Sequence, residues 1–130
     1  MKQLEILGII GAGGFIGSIC RYLLSGAIQS KLFNTLDGGF PFGTLGVNIL
    51  GCFIIGILYG YTLKNSMTFE WRVFLFTGIC GGFTTFSAFS IEMIRMMRDG
   101  NMLNAFSYIS SSIILGLGAT WSGIMAMKML

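Results

Sequence analysis

Four apolar stretches, about 4–28, 42–63, 72–97 and 102–127, dominate this 130-residue chain. Each is long enough to cross a bilayer as a helix, for which about 20 mostly apolar residues suffice. The second and fourth contain no charged side chain at all, and the interior of the first is interrupted only by Arg21. Only 10% of the residues are charged, against roughly 25% in a soluble domain, so the chain lacks the polar surface that water requires. The sequence therefore predicts an all-α membrane protein, one four-helix transmembrane domain over residues 1–130. The first stretch is too long for a signal peptide and has no convincing cleavage site, so it is expected to stay in the chain. Turn signals at Asn34, Asp37-Gly38-Gly39 and Pro41 mark the longest connection, and short ones join the later spans.

Several function classes fall away at once. Without histidine there is no imidazole for triads, metal sites or acid–base work. Cys20, Cys52 and Cys80 lie within apolar runs at no metal-ligand spacing and read as reduced packing residues. A pI near 8.9 has no basic cluster behind it, so no nucleic-acid partner is expected. The run Gly11 to Gly17 lacks the register of a dinucleotide-binding loop, and no strand precedes it.

The positive charges define an unusual orientation. Lys2, Lys64, Arg72 and Lys128 fall on the side of the termini, and Arg21, Lys31, Arg95 and Arg98 on the other. Orientation follows the Lys/Arg bias, and four against four gives none. Dual topology is the expectation, with an antiparallel homodimer about a two-fold axis in the membrane plane.

Gly13-x-x-x-Gly17, Gly56-x-x-x-Gly60 and Gly78-x-x-x-Gly82 have the spacing that lets helix backbones touch where water supplies no drive for association. The third stretch holds something more. Its segment Gly78-Ile-Cys-Gly-Gly-Phe-Thr-Thr-Phe-Ser-Ala-Phe-Ser90 sets glycines and threonines, poor helix formers, in the middle of a span. A break over Gly81–Thr85 frees backbone carbonyls at mid-membrane depth, which is tolerated only where they are buried or line a cavity. Two readings stay open on these residues alone: a carbonyl cage for a small hard cation such as Na⁺, or a kink satisfied by the threonine hydroxyls.

Phe86 and Phe89 share a helix face beyond the break. They either pack as ordinary aromatics or turn their positive ring edges toward an anion. Asn48 stands in an otherwise apolar second span, as an interhelical hydrogen-bonding residue or an anion donor. Tyr108 and Ser112 lie four apart on the fourth span with Gly116 a turn further, and Ser107, Ser110 and Ser111 widen that polar face. Arg21 either snorkels to the headgroups or attracts anions in a vestibule. Glu92 reads as a solvated helix end, as a partner of Arg95 or as a site residue. No carboxylate is expected at the membrane midplane, which argues against proton-coupled cation transport.

Over nearly its whole length the chain resembles the CrcB/Fluc family of fluoride channels. The resemblance rests on Gly17-x-x-x-Arg21-Tyr22, on Gly43-Thr44-Leu-Gly-Val-Asn48-x-x-Gly51, and above all on Gly81-Gly82-x-Thr84-Thr85-Phe86-Ser87-x-Phe89-Ser90. Ala88 departs from the pattern, standing where the family commonly has threonine. The resemblance implies a dual-topology homodimer in a bacterial inner membrane, with two fluoride pores and one structural Na⁺ held at the dimer centre by the carbonyls of Gly81 and Thr84. It implies that Phe86, Phe89, Asn48, Ser87, Tyr108 and Ser112 line the fluoride path and that Arg21 belongs to the vestibule. Function would then be passive fluoride export, not enzymatic turnover. The alternatives are a small multidrug-resistance-type transporter, which would need an embedded carboxylate in its first helix where this chain has only the terminal Glu5, and a non-transporting scaffold.

Overall fold

Lipid offers backbone amides no hydrogen-bonding partner, so apolar stretches of this length fold as helices. The computed structural model describes residues 2–33 and 39–130. Among them are four helical segments long and apolar enough to span a membrane: Gln3–Leu32, Phe42–Lys64, Phe69–Arg98 and Met102–Met129. The first belongs to α1 (Gln3–Phe33), the second is α2 (Phe42–Lys64) and the fourth is α6 (Met102–Met129). The third is composite. It runs through α3 (Phe69–Arg72), a π-helical stretch (Val73–Cys80), α4 (Gly81–Phe83) and, after a gap at Thr84 and Thr85, α5 (Phe86–Arg98).

The turn expected at Asn34, Asp37 and Gly38 lies outside the described residues. The chain entering α2 is held from α1: the Gln29 amide donates to the Phe40 carbonyl at 3.1 Å and accepts from the Gly43 N–H at 2.9 Å. One side chain thereby anchors the connection and satisfies a free amide in the first turn of α2. The tight turn into α6 uses Gly100 at φ +75. Around it Gly100 N–H reaches Met97 O (3.2 Å) and Asn101 N–H reaches Met96 O (2.8 Å). That pair of bonds is a Schellman end, which requires the left-handed conformation that glycine adopts without strain.

Packing matches the glycine spacings. α1 lies along the π-helical stretch and α4, while α2 lies along α6. A methyl on Gly13 would stand 2.7 Å from the Phe74 carbonyl oxygen and 2.8 Å from Gly78 Cα, and one on Gly82 would stand 2.6 Å from the Gly14 carbonyl oxygen. Gly56 and Gly60 admit Thr120, Ile124 and Met127 of α6 in the same way. The glycines at 81 and 82 are thus helical, and their neighbours Thr84 and Thr85 alone carry the extended backbone (ψ 157 and 116). The break is narrower than the Gly81–Thr85 interval read from the sequence.

Leu45, Met96, Ala105 and Tyr108 form a buried core where α2, α5 and α6 meet, with Phe40, Ile49, Phe89 and Met93 packed against it. Outward-facing Leu4, Phe15, Leu103, Phe106 and Leu117 are exposed, the pattern of a surface solvated by lipid rather than by water.

Candidate functional site

The gap in the third span is stabilised from the neighbouring helix. Thr85 N–H donates to Asn48 Oδ1 at 2.8 Å, and Asn48 Nδ2 donates to the Thr85 carbonyl at 3.1 Å. Thr85 also starts α5, its hydroxyl oxygen accepting from Ala88 N–H at 3.2 Å as an N-cap. These bonds redirect two amides that a continuous helix would aim four residues back. The Thr85 amide no longer serves Gly81, and the Ala88 amide no longer serves Thr84. The Gly81 and Thr84 carbonyls therefore lose their ordinary helical donors. Thr84 is fixed differently, its N–H and hydroxyl both donating to the Cys80 carbonyl at 3.0 Å.

A cavity of about 440 Å³ opens beside the break. Asn48 and Cys52 border it from α2, Gly81, Thr84, Phe86 and Phe89 from the third span, and Ser112 from α6. Residues that the sequence places far apart, Asn48, Phe86, Phe89 and Ser112, thus share one chamber. The Phe86 and Phe89 rings lie 5.6 Å apart at 37°. Phe86 is 79% exposed on the isolated chain, while Phe89 leans inward onto Tyr108 with ring centroids 5.0 Å apart.

Tyr108 does not border this chamber. It is fully buried behind Phe89, and its hydroxyl donates to Glu92 Oε2 at 2.7 Å. The other carboxylate oxygen, Oε1, accepts from the Thr44 hydroxyl at 2.6 Å. Glu92 is therefore neither a solvated helix end nor turned to Arg95; it is half-buried and gathers hydroxyls from α2 and α6. Thr44 and Glu92 in turn border a second cavity of about 340 Å³, together with Ser25, Gln29, Arg95 and Asp99. A line of contacts thus runs from the first chamber through Phe89, Tyr108 and Glu92 to Thr44 and the second.

The remaining sequence-derived candidates lie off this line. Ser87 is exposed, with its Oγ 3.3 Å from Thr85 Oγ1, and borders neither cavity. Arg21 is half-buried on α1 and borders neither, standing one turn before Ser25 on the same helix face. Asn48 reaches the chamber, but its oxygen and one N–H are already committed to Thr85. Sequence reasoning missed Thr44 as a site residue and left Glu92 unassigned. The available signal was spacing: Glu92 stands three residues after Phe89, and Thr44 four before Asn48, each on the face of its site neighbour.

The fold and site define a polytopic membrane protein with a broken third helix and a polar line through an apolar bundle. Residues 8–124 match the model of a family described as CrcB-like protein, Camphor Resistance (CrcB). Similar proteins each bear the name fluoride-specific ion channel FluC. One from Flavobacterium psychrophilum is 45% identical over 92% of this chain and 94% of its own. Another from Methylobacillus flagellatus is 45% identical over 93% of both. A third, from a Geobacter species, is 39% identical over the full length of both. The chain belongs to the CrcB/FluC family of fluoride-specific ion channels, which are multi-pass membrane proteins and not enzymes.

Proposed function

We propose that this protein is a passive fluoride channel that lets the anion leave the cell and so lowers its toxicity. The observation that carries the reading is the chamber in which Asn48, Phe86, Phe89 and Ser112 meet, continued through Tyr108 and Glu92 to Thr44. Fluoride is small and strongly hydrated, so a selective path must replace much of its water. The Ser112 hydroxyl and the uncommitted Asn48 N–H supply donors without a deep cationic trap. The Tyr108 and Thr44 hydroxyls, which donate to Glu92 here, join them by turning from that carboxylate to the ion. The Phe86 and Phe89 rings offer positive edges. Hydrogen fluoride enters as a neutral weak acid and dissociates inside. The inside-negative potential then drives the anion outward by about 2.3 kcal/mol per charge per 100 mV. No coupling ion or nucleotide is needed.

Assembly as an antiparallel, dual-topology homodimer with two pores belongs to the same reading, supported by the even Lys/Arg distribution and by the exposed Phe86. A Na⁺ ion fits the donor chemistry at the break. Gly81 and Thr84 offer neutral, hard carbonyl oxygens that have lost their helical donors, and two copies of the chain would double the set. Bound there, Na⁺ would supply fixed positive potential beside the path and hold the two breaks together. Ser87 supports the Thr85 cap from outside the chamber, and Arg21 favours anions at a vestibule. Fluoride release from liposomes, with chloride as the control ion, tests the function. Labelling of single cysteines placed in the connections from both sides of the membrane tests the topology: one orientation for every copy would defeat the antiparallel dimer.

A further inference from the structure

A polar cavity of about 420 Å³ lies far from the break, where α2 ends and the third span begins. Thr62, Lys64, Asn65, Ser66 and Arg72 border it, and its volume falls in the range of small-molecule sites, about 300–1,000 Å³. Two of these residues are cations on different helices. Lys64 is anchored, its ammonium donating to the Lys128 carbonyl at 3.0 Å and thereby satisfying a free carbonyl at the end of α6. An ammonium carries three donors, so that bond leaves donors for the cavity. The Arg72 guanidinium is exposed and forms no ion pair among the described residues. The nearest carboxylate in sequence, Glu70, makes no ion pair with it among the described residues. By sequence, the span ends on this side carry Lys2, Lys64, Arg72 and Lys128 against Glu5 and Glu70, a charge balance that favours an anion.

Depth decides which anion. Tyr59, Tyr61 and Trp71 flank the cavity in sequence, and all three are exposed. Large exposed aromatics with polar edges collect at the membrane–water interface, which sets the Lys64–Arg72 cavity level with the lipid headgroups. A basic pocket between helix ends at that depth suits a lipid phosphate. We propose that Lys64 and Arg72 bind the phosphate of an anionic phospholipid headgroup, clamping the end of α2 to the start of the third span. Arg72 supplies a planar fork for two phosphate oxygens, and Lys64 a point charge already held in place by α6.

The test uses the full-length protein in neutral detergent, titrated separately with phosphatidylglycerol, phosphatidylcholine and inorganic phosphate. Bound lipid is counted by native mass spectrometry and stability is tracked by thermal unfolding. Phosphatidylglycerol should bind about tenfold or more tightly than phosphatidylcholine and raise the unfolding midpoint. The Lys64→Gln/Arg72→Gln pair should erase that preference, whereas Arg98→Gln at the opposite end should keep it. Should the double variant fail to fold, Arg72→Gln alone, at an exposed side chain, should still weaken phosphatidylglycerol binding several-fold. Equal binding of the two lipids, or an unchanged preference in the folded variants, would overturn the proposal. Protection by inorganic phosphate equal to that by phosphatidylglycerol would also overturn it, by making the site one for the free ion.

Discussion

Asn48 and Thr85 exchange two hydrogen bonds across the interface of the second and third spans, at 2.8 and 3.1 Å. This side chain replaces the helical partners of the Thr85 backbone, which is what allows the chain to unwind inside an apolar bundle without orphaned amides. Asn48→Ala leaves both groups of Thr85 unpaired. Each buried unsatisfied group costs about 1–3 kcal/mol, so the variant should unfold at clearly lower temperature and lose most of its fluoride flux. Asn48→Asp keeps an acceptor for the Thr85 N–H but turns an oxygen toward its carbonyl and adds negative charge to an anion chamber, so it should not rescue flux. Thermal unfolding alongside liposome efflux checks both.

Tyr108 and Thr44 point their hydroxyls at opposite oxygens of Glu92. Tyr108→Phe preserves the ring that packs on Phe89 and removes one donor. The hydroxyl is held by Glu92 and reaches the ion only by exchanging one charged acceptor for another, so its loss should lower fluoride flux several-fold while chloride stays excluded. Flux equal to that of the parent would take Tyr108 off the path.

Close helix approach makes a contrasting pair of glycines. Gly13→Ala must push apart α1 and the π-helical stretch, since its methyl would meet Phe74 O at 2.7 Å and Gly78 Cα at 2.8 Å. Overpacking of this kind costs about 1–3 kcal/mol. Gly26→Ala meets nothing within 4 Å and gains helix propensity of up to about 1 kcal/mol. The first variant should lower the unfolding midpoint and the second should hold or raise it.

Sodium dependence is expected from the redirected amides at the break. Protein purified and assayed with Na⁺ replaced by a bulky organic cation should show a lower unfolding midpoint and a weaker dimer, and restored Na⁺ should recover both. The ligands being backbone carbonyls, Thr84→Ser should leave this response in place. Indifference to Na⁺ would count against the Gly81 and Thr84 assignment.

How far the sequence reveals this arrangement depends on whether a feature is local. The four spans are legible because hydrophobic length is a property of a continuous stretch, and the glycine spacings announce which faces approach. The break was legible as a conflict between Gly81–Thr85 and the helix around it, but its narrow limits were not. They depend on Asn48, thirty-seven residues away, reaching the Thr85 backbone, and on Gly82 being needed against Gly14. Phe86 and Phe89 stood out through their spacing, and Asn48 through its isolation in an apolar span. Glu92 was ambiguous because a carboxylate near a helix end looks solvated until Thr44 and Tyr108, from two other helices, are seen to close on it. Such a convergence has no signature in one stretch of sequence.

The most direct test of the central claim is fluoride efflux from liposomes, read with an ion-selective electrode, for the parent protein and for Phe86→Ile, with chloride as control and dimer assembly verified for both. The account predicts rapid fluoride release and negligible chloride release from the parent, and loss of fluoride release from a still-assembled Phe86→Ile. Absence of fluoride release from folded, dimeric parent protein in the presence of Na⁺, or flux undiminished in Phe86→Ile, would contradict it.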